Sequence, residues 1–185
     1  MYIAIIGTAG RSSSQLAALN TVVFDEMTNL AMGQIREWGF ENLSQVILVS
    51  GGSAWADHVA VRLFLDRIEE WGGLQLFLPC RFSPDTKQFD STACGKSLNR
   101  YHEQQSSKMN RCSRQDLAAA IALGAQVETI RKGFKGRNTA VANQADYMIA
   151  LTFSSSADAP DHNSRGTLDT WSKCHGVKKH FSLQL

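Results

Sequence analysis

The chain has 185 residues, of which 43% are hydrophobic and 19% charged, with a formal net charge of +2. That length and balance suit one α/β domain over residues 1–185, with a sheet covered on both faces. No apolar run is long enough to span a bilayer, and the start lacks a basic signal region, so a cytoplasmic protein with no membrane partner is expected. The charge is uneven. Arg81 to Arg114 holds seven basic against three acidic residues, which makes it net +4, while the remainder is net −2. A local basic patch fits a phosphate or a partner better than a surface that coats nucleic acid. The cysteines, Cys80, Cys94, Cys112 and Cys174, have no metal-site spacing and read as reduced thiols.

In chain order, Tyr2 to Gly7 reads as a first strand. Apolar residues at helical spacing predict a helix from about Phe24 to Trp38, with Ser12 to Thr21 as its first turns or a separate short helix. Strand two is Gln45 to Ser50, followed by a helix from Ala54 to Trp71 that Gly72-Gly73 ends. Leu74 to Cys80 is strand three. Arg81 to Arg111 has few apolar residues and no clear period, and reads as a functional loop or partly helical excursion. A helix from Ser113, its expected N-cap, to Leu123 comes next, with Gly124 as the stop. Then come a strand at Gln126 to Ile130, a helix at Arg137 to Gln144 and a strand at Tyr147 to Phe153. A polar loop from Ser154 to Ser164, a helix at Thr167 to His175 and a strand at Val177 to Leu183 complete the chain. Strands alternating with helices predict a Rossmann-like three-layer α/β sandwich with a mainly parallel sheet.

In such a sheet ligands bind at the carboxyl ends of the strands, beside the reversal of strand order. Two glycine-rich turns lie there, Gly7-Thr8-Ala9-Gly10-Arg11 and Ser50-Gly51-Gly52-Ser53-Ala54-Trp55-Ala56-Asp57. Glycine lets backbone approach a ligand, and a helix start offers free N–H groups to an anion. A third small turn, Gly166-Thr167, opens another helix. Neither of the first two fits the dinucleotide fingerprint or the P-loop, so no cofactor is implied. His162 with Asp158 and Asp161 lacks ligand spacing, and no metal is expected.

The order of Ser50-Gly51-Gly52-Ser53-Ala54-Trp55-Ala56-Asp57, Arg137-Asn138, the strand from Tyr147, and Gly166-Thr167-Leu168-Asp169 resembles the SLOG superfamily. That Rossmann-like group includes the DNA-processing protein A family, the LOG phosphoribohydrolases and YspA-type phage and bacterial proteins. The resemblance covers most of the chain, apart from a basic insert at about 81–112. It implies a pocket for a nucleotide or nucleotide-derived signal, a homodimer or larger assembly, and a phage protein. Hydrolysis of a nucleoside monophosphate is the alternative it implies, and single-stranded DNA binding the second. The hydrolase branch carries a glutamate where this chain has Thr170. Asp169, one residue earlier, points about 100° away on a helix.

The expected ligand contacts are Gly7, Thr8, Ala9, Gly10, Arg11, Ser50, Gly51, Gly52, Ser53, Trp55, Asp57, Arg137, Asn138, Gly166 and Thr167. Arg11 and Arg137 would hold phosphate or pair with a carboxylate. Asn138 would cap a helix or bond a ribose or base. Trp55 would stack a base or line a wall. Asp57 and Asp169 are the carboxylates for any glycosidic chemistry, or else braces for their loops. The basic insert is expected to close over the site as a lid. Met27, Leu30, Met32 and Ile35 leave one face of the first long helix for a second subunit.

Overall fold

Successive side chains of a strand point to opposite faces of its sheet, and the central strand shows what that does here. In the computed structural model, which describes residues 1–184, β1 (Tyr2–Gly7) sends Ile3 and Ile5 into one core layer and Ala4 and Ile6 into another. All four are at most 2% exposed. The chain continues through α1 (Ser13–Ala18), α2 (Thr21–Glu37), β2 (Ile47–Ser50), α3 (Ala56–Asp66) and β3 (Gly73–Leu78). A small antiparallel hairpin of β4 (Phe82–Ser83) and β5 (Gln88–Phe89) precedes α4 (Ala93–Met109) and α5 (Ser113–Ala122). Then follow β6 (Gln126–Thr129), α6 (Gly133–Gln144), β7 (Tyr147–Thr152), α7 (Arg165–Lys173) and β8 (Val177–Ser182).

The main sheet is parallel throughout, in the order β6-β3-β2-β1-β7-β8. One face is covered by α2, α3 and α5, whose Phe24, Met27, Val59, Leu63 and Leu117 join Ile3 and Ile5. The other is covered by α6 and α7, through Val141, Ala142 and Trp171. The result is a Rossmann-like three-layer sandwich. Strand order reverses between β1 and β7, whose register runs from Ile3 opposite Tyr147 to Gly7 opposite Leu151. Among the described residues no helix is long and apolar enough to cross a membrane.

Several local expectations are corrected. Ser12 to Thr21 does form a separate helix, α1, with Ser12 as its cap, and α2 has its own cap at Asn20. The second helix stops at Asp66, not Trp71, because the Trp71 indole N–H donates to the Leu63 carbonyl at 2.8 Å and satisfies the helix end. The stretch from Arg81 to Arg111 is mostly the 17-residue helix α4. Cys112, not Ser113, is the N-cap residue of α5. The helix carrying Arg137 begins four residues earlier, at Gly133. Met27 and Ile35 are fully buried within the monomer, while Leu30 and Met32 are only partly covered.

Candidate functional site

A cleft of about 180 Å³ opens at the carboxyl ends of the strands, at the β1–β7 reversal. The end of β1 supplies Gly7, the following loop Thr8, Ala9 and Arg11, and the β2–α3 turn Ser53 and Asp57. From α6 come Arg137 and Asn138, and from the start of α7 come Gly166 and Thr167. Ten of the expected contacts therefore line one cavity. Gln15, Asn163, Ser164, Arg165 and Thr170 line it as well and were not expected. Arg165 had a readable signal, since a basic residue beside Gly166-Thr167 at a helix start suits an anion.

Asp57 and Arg137 form a buried ion pair, Nη1 donating to Oδ2 at 2.7 Å with both side chains 7% exposed. Gly51 makes room for it. A Cβ there would lie 1.6 Å from Arg137 Nη1 and 2.7 Å from Asp57 Oδ2, so only glycine admits the pair. The turn is braced by Ser50 rather than by the Asp57 carboxylate. Its hydroxyl donates to the Asp57 carbonyl at 2.7 Å and accepts the Gly52 N–H at 3.0 Å. Gly52 takes φ +65°, and a Cβ there would meet Leu78 Cδ2 at 2.2 Å. Gly51 and Gly52 thus serve the ion pair and the core, and do not line the cleft.

Trp55 is also placed away from the cleft. It is fully buried, edge-on to Phe24 with ring centroids 6.4 Å apart, so no base can stack on it. Its backbone holds φ 62° and ψ −113°, costly for a side chain with a Cβ. Gly10 lies against Leu19 and Leu16 instead of the cavity, its N–H donating to Thr8 Oγ1 at 3.2 Å.

Thr167 lines the cleft, but its hydroxyl proton goes to the Gly7 carbonyl at 2.9 Å, tying the start of α7 to the end of β1. Asn138 is interior to α6 and caps nothing. Its amide donates to the Gly166 carbonyl at 3.1 Å and to Asp169 Oδ2 at 3.2 Å. Asp169 lies outside the cleft lining and pairs with Lys173, Nζ to Oδ1 at 2.8 Å. Burial alone would raise its pKa, but Lys173 and Asn138 outweigh that and hold the carboxyl below its ordinary value.

Charge in the cleft is one-sided. Arg137 is neutralised by Asp57, whereas Arg11 and Arg165 have no carboxylate within ion-pair distance among the described residues. A Cβ built at Gly166 would lie 3.1 Å from Arg11 Nη2 and 3.3 Å from Nη1, so the free guanidinium sits directly over the start of α7. The cavity therefore pairs an unneutralised arginine with a helix N-terminus and has no unpaired carboxylate.

The basic insert does not close over this opening. His102 of α4, fully buried, bonds the Gly52 carbonyl through Nε2 at 3.1 Å and Ser113 Oγ through Nδ1 at 2.9 Å. Burial, reinforced by His58, lowers its pKa to about 3, so it stays neutral and keeps the Nε2 proton on Gly52. In the last turn of α4, Lys108 Nζ donates to the Leu16 carbonyl and, at 3.0 Å, to the Leu19 carbonyl, holding the end of α1. The insert is a buttress behind the two glycine turns.

No protein-family model matches the chain. No solved structure matches it. It is 33% identical over 184 residues to "Uncharacterized protein R261" of Acanthamoeba polyphaga mimivirus, an alignment spanning 99% of this chain and 96% of that protein. On that identity and coverage, the chain belongs to the same family as the mimivirus protein.

Proposed function

We propose that the cleft binds a nucleotide or nucleotide-derived signalling molecule through its βα turns, with the phosphate at Arg11 and the start of α7. The observation that carries this reading is the Arg11 guanidinium, without an ion-pair partner among the described residues and poised over Gly166. An arginine fork beside a helix start is a strong anion site, because both offer directed N–H donors to one group. The site's position at the strand-order reversal supports the same reading. A SLOG-like module is the family reading that fits these turns.

Binding without hydrolysis is the favoured form. Asp57 is held by Arg137, and Asp169 is held by Lys173 and Asn138 outside the cavity, so neither is a free carboxylate beside a ribose. Thermal-shift measurements with nucleoside monophosphates should raise the melting temperature, and free nucleosides should not. Arg11→Gln should weaken the phosphate effect about tenfold with little change in the unliganded melting point. Equal shifts for both ligand classes would refute the phosphate cradle. Free base released during incubation would establish hydrolysis instead.

A further inference from the structure

α1 is a helix with little packing to hold it. It has six residues, none of them buried, and no other helix or strand packs broadly against it. A helix that short is marginal by itself, so the groups at its ends decide whether it forms. Ser12 caps the start, its hydroxyl accepting the Gln15 N–H at 3.2 Å. At the other end the Gln15 carbonyl accepts the Leu19 N–H at 3.1 Å, and the Ala18 carbonyl accepts from the Asn20 amide at 3.2 Å. The Leu16 and Ala17 carbonyls are left to Lys108, from the far end of α4. Its ammonium donates to both, the second at 3.5 Å, and to the Leu19 carbonyl at 3.0 Å. Lys108 has no carboxylate within ion-pair distance among the described residues. Its donors and its charge are all directed at the negative end of α1.

The same helix reaches the phosphate cleft from its other end. Gln15 lines the cavity, and so does Arg11, the residue before the Ser12 cap, with its guanidinium over Gly166. Gly10 precedes them at φ +67°, and the fully buried Leu19 fixes the chain just beyond. Residues 11–18 are thus a strap, tied across its end by Lys108. We propose that Lys108 is a positioning residue for the phosphate site: its latch on α1 sets where Arg11 and Gln15 stand, and so makes α4 a control element for ligand affinity. This role rests on the phosphate reading of the cleft. With the ammonium gone, α1 frays, Arg11 samples places away from Gly166, and affinity falls with the share of molecules whose strap is in place. The coupling is reciprocal, so a phosphate on Arg11 steadies α1 and tightens the latch.

The test compares the full-length wild type with Lys108→Met, which keeps the stem and removes the donors, and with Lys108→Arg, which restores them. Lys96→Met, at an exposed position of the same helix, removes an equal charge away from α1. The readouts are amide hydrogen exchange across residues 15–19 without ligand, affinity for adenosine monophosphate and for pyrophosphate by calorimetry, and melting temperature. Lys108→Met should speed exchange in α1 and weaken both ligands about fivefold, with the melting temperature nearly unchanged. Lys108→Arg should recover both, and Lys96→Met should alter neither. Unchanged exchange in Lys108→Met overturns the latch. Faster exchange with unchanged affinity overturns the positioning role. Equal weakening by Lys96→Met overturns it too, by assigning the effect to general charge. A wild type that binds neither ligand refutes the phosphate reading itself and this role with it, whereas wild-type binding that Lys108→Met leaves intact refutes the role of Lys108 alone.

Discussion

Removing one member of the Asp57–Arg137 pair should destabilise the protein more than any exposed ion pair could. The charges meet at 2.7 Å with both side chains 7% exposed, so water screens them little. Two unit charges about 4 Å apart attract by about 4 kcal/mol at an effective dielectric of about 20. Leaving one charge of a buried pair alone costs about 3–5 kcal/mol. Arg137 Nε has no hydrogen-bond partner among the described residues, so no second acceptor holds the guanidinium when Asp57 is neutralised. Asp57→Asn should therefore lose about 3 kcal/mol, a large share of the roughly 5–15 kcal/mol that holds a domain together. Arg137→Met, which removes the cation and keeps the stem, should lose a similar amount. The double variant buries no unpaired charge and should lose about 3 kcal/mol rather than the sum, a coupling of about 2–3 kcal/mol. Urea unfolding of the four proteins, with slopes compared, measures each term. Losses that add to within about 0.5 kcal/mol would refute the reasoning, because they would mean the two charges do not feel each other.

Gly52→Val should unfold the β2–α3 turn rather than spare the fold and block a ligand. It forces a β-branched residue to φ +65° with its Cβ 2.2 Å from Leu78 Cδ2, so a fall in melting temperature should accompany any loss of binding, and an unchanged one would count against the packing described. The pH dependence of stability should carry a signature of His102. Its pKa drops from 6.5 to about 3 on folding, so between those values the unfolded chain takes up a proton that the folded chain refuses. Stability is then lost as pH falls through that window, by up to about 1.4 kcal/mol per pH unit. His180 is shifted the same way by burial, but equally in wild type and variant. His102→Gln should flatten the slope, and an identical slope in the two proteins would show that His102 is not the group responsible.

The strands were legible because a strand buried on both faces needs an unbroken apolar run, as in Ile3 to Ile6 and Ile47 to Val49. α4 was not legible, for a related reason. Its inward positions are Gly95, Leu98, His102 and Gln105, a helical spacing carried mostly by polar or small residues that an apolar count passes over. The start of α6 was misplaced because Lys132 gives no side-chain cap there. Trp71 counted as helical apolar periodicity, yet it caps the helix from outside. Around the cleft, the turns announced themselves through glycine, but glycine does not say what it makes room for. At Gly51 the neighbour is Arg137, far along the chain, and a single sequence holds no trace of that contact.

The strand order also dictates when this protein can become whole. β1 pairs with β2 on one side and with β7 on the other, so the sheet has an early half, built from β1, β2, β3 and β6, and a late half of β7 and β8. Until α6 and α7 have left the ribosome, the edge of β1 has no neighbour and Ala4, Ile6, Val49 and Phe77 have no cover. Such an open edge and bare face are what chaperones recognise. The cleft lies on the seam: Gly7, Thr8 and Asp57 belong to the half made first, Arg137, Gly166 and Thr167 to the half made last. A molecule bound there would touch both halves, and would act as a clasp on the final step of folding.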